Sequence, residues 1–235
     1  SVRDSAAMLD AIAGPDPGAP YVAPPPRRPF LEEVGRDPGT LRIAFTAEPI
    51  LPGTVHPDCV AGLERAVELC RDLGHEVVED APEVDGHAFA RAFLKMVCAE
   101  TRADIQEAEE LLGRKASARD FEPGTWAVAL LGTQISAAEF SKALHFLKRT
   151  GRRMAPFFET YDVFLTPTLA EPPLPIGVVQ PRGAERIAMT ILGALNAGGL
   201  INALTGIDAL ADEVYAFMPY TPPFNTTGQP AMSVP

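Results

Sequence analysis

The feature that most limits how this chain can fold is a strand, a helix and a second strand in close succession. Leu41–Phe45 alternates toward a strand, and His56–Leu73 carries Val60, Leu63, Val67 and Cys70 at helical spacing, with Pro57 in the first turn and Gly74 as the stop. Glu76–Glu79 is the second strand. A span of about forty residues is long enough for a right-handed parallel crossover, so the pattern predicts an α/β fold in which these two strands lie parallel.

The rest of the chain hangs on that unit. Val2–Ala13 has apolar positions at Ala6, Leu9, Ile12 and Ala13 and stops at Gly14-Pro15, the spacing of a short amphipathic helix. Seven prolines between Pro15 and Pro29 then hold the backbone extended and remove amide donors, so this stretch runs over the surface as a connector. Helical patterns follow at His87–Leu112, Trp126–Leu131 and Ala137–Tyr161, the last opened by Ser136 with Glu139 three residues on as a capping box. Val163–Thr166 reads as a short buried strand. Pro167, Pro172, Pro173 and Pro175 forbid regular structure until about Gly183, after which Glu185–Leu204 and Asp208–Phe217 read as helices. The closing Ala231-Met232-Ser233-Val234-Pro235 reads as a strand entering a turn. The expected organisation is a helix at 1–14, a proline-rich connector at 15–40, the strand-helix-strand unit with helical cover at 41–160, and C-terminal core segments at 161–235.

Composition narrows the function. With 46% hydrophobic and 22% charged residues the 235-residue chain has globular composition, and its net charge of -11 repels phosphate backbones and anionic lipid surfaces. Nucleic-acid and membrane partners are therefore not expected. Ile191–Leu204 is the longest apolar stretch, but it is interrupted by Asn196, Asn202 and glycines and falls short of the roughly 18 to 20 residues of a span. Cys59, Cys70 and Cys98 are an odd count without C-x-x-C spacing, which suits a reducing, cytoplasmic setting. Ser1 carries neither an initiator Met nor a leader pattern, so the start reads as a cut or processed end.

Local motifs supply no catalytic constellation. The chain holds no G-x-S-x-G elbow, H-E-x-x-H, phosphate-binding loop or G-x-G-x-x-G. His75-Glu76-Val77-Val78-Glu79 follows a helix stop and is β-branched, so it reads as strand rather than zinc helix. His56, His75, His87 and His145 lie on separate elements without ligand spacing, and neither metal nor cofactor is expected. Lys148, Arg149, Arg152 and Arg153 sit late in a helix, where cations oppose the dipole, and Glu100, Asp104, Glu107, Glu109 and Glu110 read as a solvated face. Cys98, beside Met96 and Val97, is either a buried structural thiol or a small polarisable side chain lining a pocket.

Three segments together carry a family resemblance. They are Ser1-Val2-Arg3-Asp4-Ser5-Ala6-Ala7-Met8-Leu9-Asp10 leading into Ala13-Gly14-Pro15-Asp16-Pro17; Tyr161-Asp162-Val163-Phe164-Leu165-Thr166-Pro167-Thr168 leading into Pro175-Ile176-Gly177; and Pro223-Phe224-Asn225-Thr226-Thr227-Gly228-Gln229-Pro230-Ala231-Met232-Ser233-Val234-Pro235. In this order the chain resembles the amidase signature family of serine hydrolases. The last segment is closest in wording to the bacterial amidase branch that includes the 6-aminohexanoate cyclic dimer hydrolases, and less like the glutamyl-tRNA amidotransferase A subunit.

The resemblance implies a mixed β-sheet covered by helices and amide hydrolysis through an acyl-serine intermediate. It also implies that the catalytic Lys, a bridging Ser on a cis peptide and the nucleophilic Ser, in a Gly-Gly-Ser-Ser-Gly-Gly stretch, precede the Ser-Val-Arg-Asp segment. None of that triad carries over. Lys95, Lys115, Lys142 and Lys148, and Ser1, Ser5, Ser117, Ser136, Ser141 and Ser233, lack the glycine-rich setting, so no catalytic residue is assigned here. In the family the segments matching Phe89–Trp126 and the Thr-Pro-Thr loop shape substrate access. Cys98, Trp126 and Phe93 are accordingly the candidate substrate-binding residues, with core packing as the other reading of each.

The expected partners are a small-molecule amide and the missing N-terminal segment of the same protein. Without that segment apolar faces at Val2–Ala13 and Phe224–Val234 stay uncovered, at a cost of about 25 cal/mol per Å², and self-association, as a homodimer for example, is one way to cover them. The rival reading is a non-catalytic binding or partner-interaction module.

Overall fold

The computed structural model describes residues 1–178 and 183–234, except the side chains of residues 184–186 and 205. It divides into two compact units, one made of Ser1–Leu41 with the C-terminal residues from Met232, the other of Arg42–Ala231. In the first unit, α1 (Val2–Ile12) starts on a capping box in which the Ser1 hydroxyl accepts from the Asp4 N–H while donating to the Asp4 carboxylate. Asp10 at the far end of α1 accepts the N–H groups of Phe30 and Leu31, at 2.6 and 2.9 Å, and so anchors the start of the one-turn α2 (Phe30–Glu33). Of α1 only Ala6 is buried, and Val2, Met8, Leu9 and Ile12 are exposed.

The second unit is built on the expected crossover. β1 (Arg42–Phe45) pairs in parallel with β2 (Glu76–Glu79) in the register Ile43 to Val77 and Ala44 to Val78, bridged by α3 (Pro57–Asp72). The α3 start combines Pro57 in the first turn with His56 as cap, whose Nδ1 accepts the Asp58 N–H at 3.1 Å. Gly74, at φ +88°, turns the chain into β2, a conformation that a Cβ would strain. The chain then runs through α4 (Gly86–Leu112), α5 (Pro123–Gly132) and α6 (Ala137–Thr160) before β3 (Val163–Leu165) joins the other side of β1, also in parallel. The strand order is β2-β1-β3. A mixed sheet was expected; both pairings among the described residues are parallel, because long helical connections return each strand in the same direction.

Three expectations are corrected. β3 is not buried: it is an edge strand, with Val163 exposed and Phe164 and Leu165 half-buried, whereas central β1 buries Ile43 and Ala44. Glu185–Leu204 is not one helix but α7 (Gly183–Ala194) and α8 (Gly198–Thr205), separated where Asn196 takes φ +50°, a left-handed turn that asparagine tolerates better than most residues. Residues 231–234 form no strand, since Gly228 at φ +84° and Pro230, which lacks an amide donor, lead the chain away from any ladder. The unit is completed by α9 (Ile207–Val214) and α10 (Pro222–Thr227).

Candidate functional site

Helices α4, α5, α6, α8 and α9 supply the main apolar core with α7 packed against it; Cys98 and Trp126 lie in this core and Phe93 packs against it. Cys98 has no exposed surface, and burial pushes its thiol up to about 11, which keeps it protonated and a poor nucleophile at neutral pH. Phe93 is half-buried between Phe89 and Tyr215, with ring centroids 5.7 and 5.4 Å away. Trp126 is 4% exposed, stacks on Phe121 at 5.8 Å and donates its Nε1–H to the Gly193 carbonyl at 3.0 Å. These contacts bury Cys98 and Trp126 among α4, α5 and α7.

The link from α4 to α5 is held by buried and bidentate carboxylates. Glu109 accepts the Ala116 N–H at 3.0 Å and the Lys115 ammonium at 3.1 Å, with Arg102 at 3.8 Å. Asp120 takes both guanidinium nitrogens of Arg114, at 3.2 and 2.9 Å, and the N–H and hydroxyl of Ser117, each at 2.9 Å. Hydrogen bonds from Arg114 and Ser117 hold the Asp120 carboxyl well below its usual range, and those from Ala116 and Lys115 lower Glu109. A carboxyl lowered on folding stabilises the fold above its ordinary range, and that contribution disappears as pH falls through it. Asp120→Asn should therefore cost stability at pH 7 and less at pH 3, narrowing the gap between the two thermal midpoints. Scanning fluorimetry at both values, with an unchanged gap as the failing result, checks this. Ser117 donates its hydroxyl to Asp120 and Lys115 is paired with Glu109, so neither forms a nucleophile-base pair.

The two later motifs of the sequence converge at the carboxyl ends of β1 and β3. Since β1 connects to β2 on one side while β3 docks on the other, the strand order reverses between β1 and β3, and such a switch point is where open α/β sheets bind ligands. Thr46, buried just past β1, donates its N–H to the Leu165 carbonyl at 3.2 Å, and Thr166-Pro167-Thr168 leaves β3 beside it. Tyr220 is fully buried there and donates its hydroxyl to the Ala47 carbonyl at 2.6 Å, while the Ala170 N–H reaches the Phe217 carbonyl at 3.0 Å. Phe224 of α10 lies 6.3 Å from the Phe164 ring of β3. Thr226 and Thr227 donate their hydroxyls to the Pro223 carbonyl, closing α10 on itself. Past Gly228, the Gln229 Oε1 is buried without a hydrogen-bond partner in this structure.

Thr46, Tyr220 and Gln229 were not singled out from the sequence. The available signal was the adjacency of the Thr-Pro-Thr and Phe-Asn-Thr-Thr-Gly-Gln wordings, which acquires a location only when β1 separates β2 from β3. The four histidines remain on separate elements, with His87 Nδ1 3.0 Å from Asp212 Oδ2. No helix of the described residues is long and apolar enough to cross a membrane.

Comparison with known proteins adds the following. The family model described as Amidase matches residues 1–235. A 6-aminohexanoate-cyclic-dimer hydrolase of Pseudomonas sp. (strain NK87) is 27% identical over 242 residues, covering 100% of this chain and 45% of that protein. The enzyme of the same name from Paenarthrobacter ureafaciens is 29% identical over 245 residues, again covering 100% of this chain and 45% of the relative. A solved structure of 6-aminohexanoate cyclic dimer hydrolase superposes with a TM-score of 0.74 at 24% identity, over 97% of this chain and 45% of the other, a likeness of fold. The chain thus spans less than half the length of these relatives.

Proposed function

Because the chain belongs to the amidase family, we propose that it forms the substrate-shaping part of an enzyme that hydrolyses carboxylic amide C–N bonds. The single observation that carries this is the family match over residues 1–235, and the meeting of both later motifs at the sheet's switch point supports it. In this reading a serine hydroxyl attacks the amide carbon and the C–N bond breaks as the amine leaves with a proton. Water then attacks the acyl-serine, releasing the acid and restoring the hydroxyl. The Ser-cis-Ser-Lys triad lies on a segment of the whole protein outside this chain, which is also the partner of this chain's motifs. Desolvation there keeps the lysine unprotonated and fixed backbone donors meet the oxyanion.

The part of this chain is positional. Thr46, Thr166, Thr168 and Gln229 border the substrate at the switch point, while Cys98, Trp126 and Phe93 hold the helical layer behind it at its spacing. Small uncharged aliphatic amides are the substrate class, supported by the names of the two bacterial relatives. Three free thiols, Cys59, Cys70 and Cys98, support a cytoplasmic setting.

The test is amine release from 6-aminohexanoate cyclic dimer and simple aliphatic and aryl amides, by the whole protein and by the 235-residue chain in parallel. Turnover by the whole protein and none by the chain is expected. Turnover by the chain that is lost on mutating one of its own serines, or no turnover of any amide by the whole protein, would overturn the reading.

A further inference from the structure

One buried hydroxyl of the second unit has no partner. Of the four tyrosines, Tyr161 donates to the Asp80 carboxylate at 2.8 Å and Tyr220 to the Ala47 carbonyl at 2.6 Å, while Tyr21 lies out in solvent. Tyr215, at the end of α9, is 5% exposed, yet its hydroxyl makes no hydrogen bond among the described residues. Buried tyrosines ordinarily satisfy that group. Its oxygen is not sealed off either. Unlike the enclosed and unpartnered Asp212 Oδ1 and Gln229 Oε1, it shares in the accessible surface left to the residue, about 10 Å² in all. An opening of that size admits one small polar group and is too narrow for a strand or helix to enter.

The setting selects what can enter. The ring leans on Phe93 at 5.4 Å, and Phe93 stacks on Phe89 at 5.7 Å. Burial, and then the nearby Cys98 thiol, raise Tyr215 well above its ordinary value, so it stays protonated and donates at neutral pH. Apolar walls penalise an acceptor that brings a bare charge far more than an uncharged carbonyl. The position is also fixed relative to the switch point. Five residues on, Tyr220 is bonded to Ala47, and the strap between is tied down by the Ala170 N–H on the Phe217 carbonyl and the Leu51 N–H on the Pro219 carbonyl, each at 3.0 Å. Five residues span at most about 17 Å, which bounds the distance to Tyr220. We propose that Tyr215 is a specificity-determining residue whose hydroxyl donates to a second, uncharged carbonyl of the substrate, remote from the amide that is cleaved, so that diamides are preferred.

The inference rests on the amidase reading, and its test keeps the two apart. The whole protein is assayed on adipamide and suberamide against hexanamide and octanamide, the monoamides of the same lengths. The wild type should show a KM at least ~5-fold lower for each diamide, beyond the statistical factor of about two for equivalent amides. Tyr215→Phe should abolish that difference with kcat within about twofold and monoamide kinetics unchanged. Its thermal midpoint should stay level or rise, because an unsatisfied polar atom has left the core. A wild type without the preference, or a variant that keeps it, overturns the inference, while turnover of any amide leaves the amidase reading standing. Equal rises in KM for diamides and monoamides would overturn it too, as a mere change of shape. So would a midpoint more than about 3 °C lower in Tyr215→Phe, which would mark the hydroxyl as bonded inside the longer protein. No turnover of any amide by the wild type fails both.

Discussion

Trp126→Ala in the whole protein should lower stability by about 3–5 kcal/mol, the largest effect of any single truncation in this core. The side chain is 4% exposed, stacks on Phe121 and fills the space between α5 and α7, so its removal opens a cavity that two helices with fixed ends cannot close. It also removes one of the two hydrogen bonds to the Gly193 carbonyl, the indole N–H at 3.0 Å, leaving the Asn196 N–H at 3.1 Å. Trp126→Phe separates the two contributions. It keeps most of the volume and the stack but removes the indole hydrogen bond while the carbonyl keeps the Asn196 N–H, an expected loss of about 0.5–1.5 kcal/mol. Chemical denaturation monitored by circular dichroism reads both. Equal losses for Phe and Ala would mean that the hydrogen bond carries the effect, and a loss below about 1 kcal/mol for Ala would mean that α7 is not held through Trp126.

Gly132→Ala should cost about 1–3 kcal/mol or more, although it adds one methyl group to an exchange that usually favours a helix. The reason is the crossing of α4 and α5. A Cβ at position 132 would overlap the Cys98 carbonyl and come within 3.0 Å of the Arg102 Cβ. The overlapped atom is helix backbone and cannot swing away, so the two helices must separate along their whole contact, loosening Cys98, Ile105 and Leu130 together. Gly124, on the same helix with nothing within 4 Å of its Cβ position, is the control, and Gly124→Ala should be neutral or stabilising. If the two alanine variants melt together, the close approach of α4 and α5 is not as described.

What could be read from the residues alone was whatever depends on neighbours in sequence. The Val60, Leu63, Val67 and Cys70 spacing, Pro57 and Gly74 mark α3 because helical period and end signals are local, and the parallel pairing of β1 with β2 follows from the length of one connection. The Ser136–Glu139 capping box likewise announces α6. The wordings around Thr166-Pro167-Thr168 and Phe224–Gln229 carry the family for the same reason. The tertiary structure alone decided where these pieces meet. Cys98, Trp126 and Phe93 look alike in sequence whether they line a pocket or fill a core, because an apolar side chain carries no label for what covers it; only the packing of α4, α5, α7 and α9 shows which side chains surround each. The switch point at Thr46 and Thr166 exists only because β3 docks on the far side of β1, a pairing between residues about 120 apart, and local propensity has no reach over such a distance.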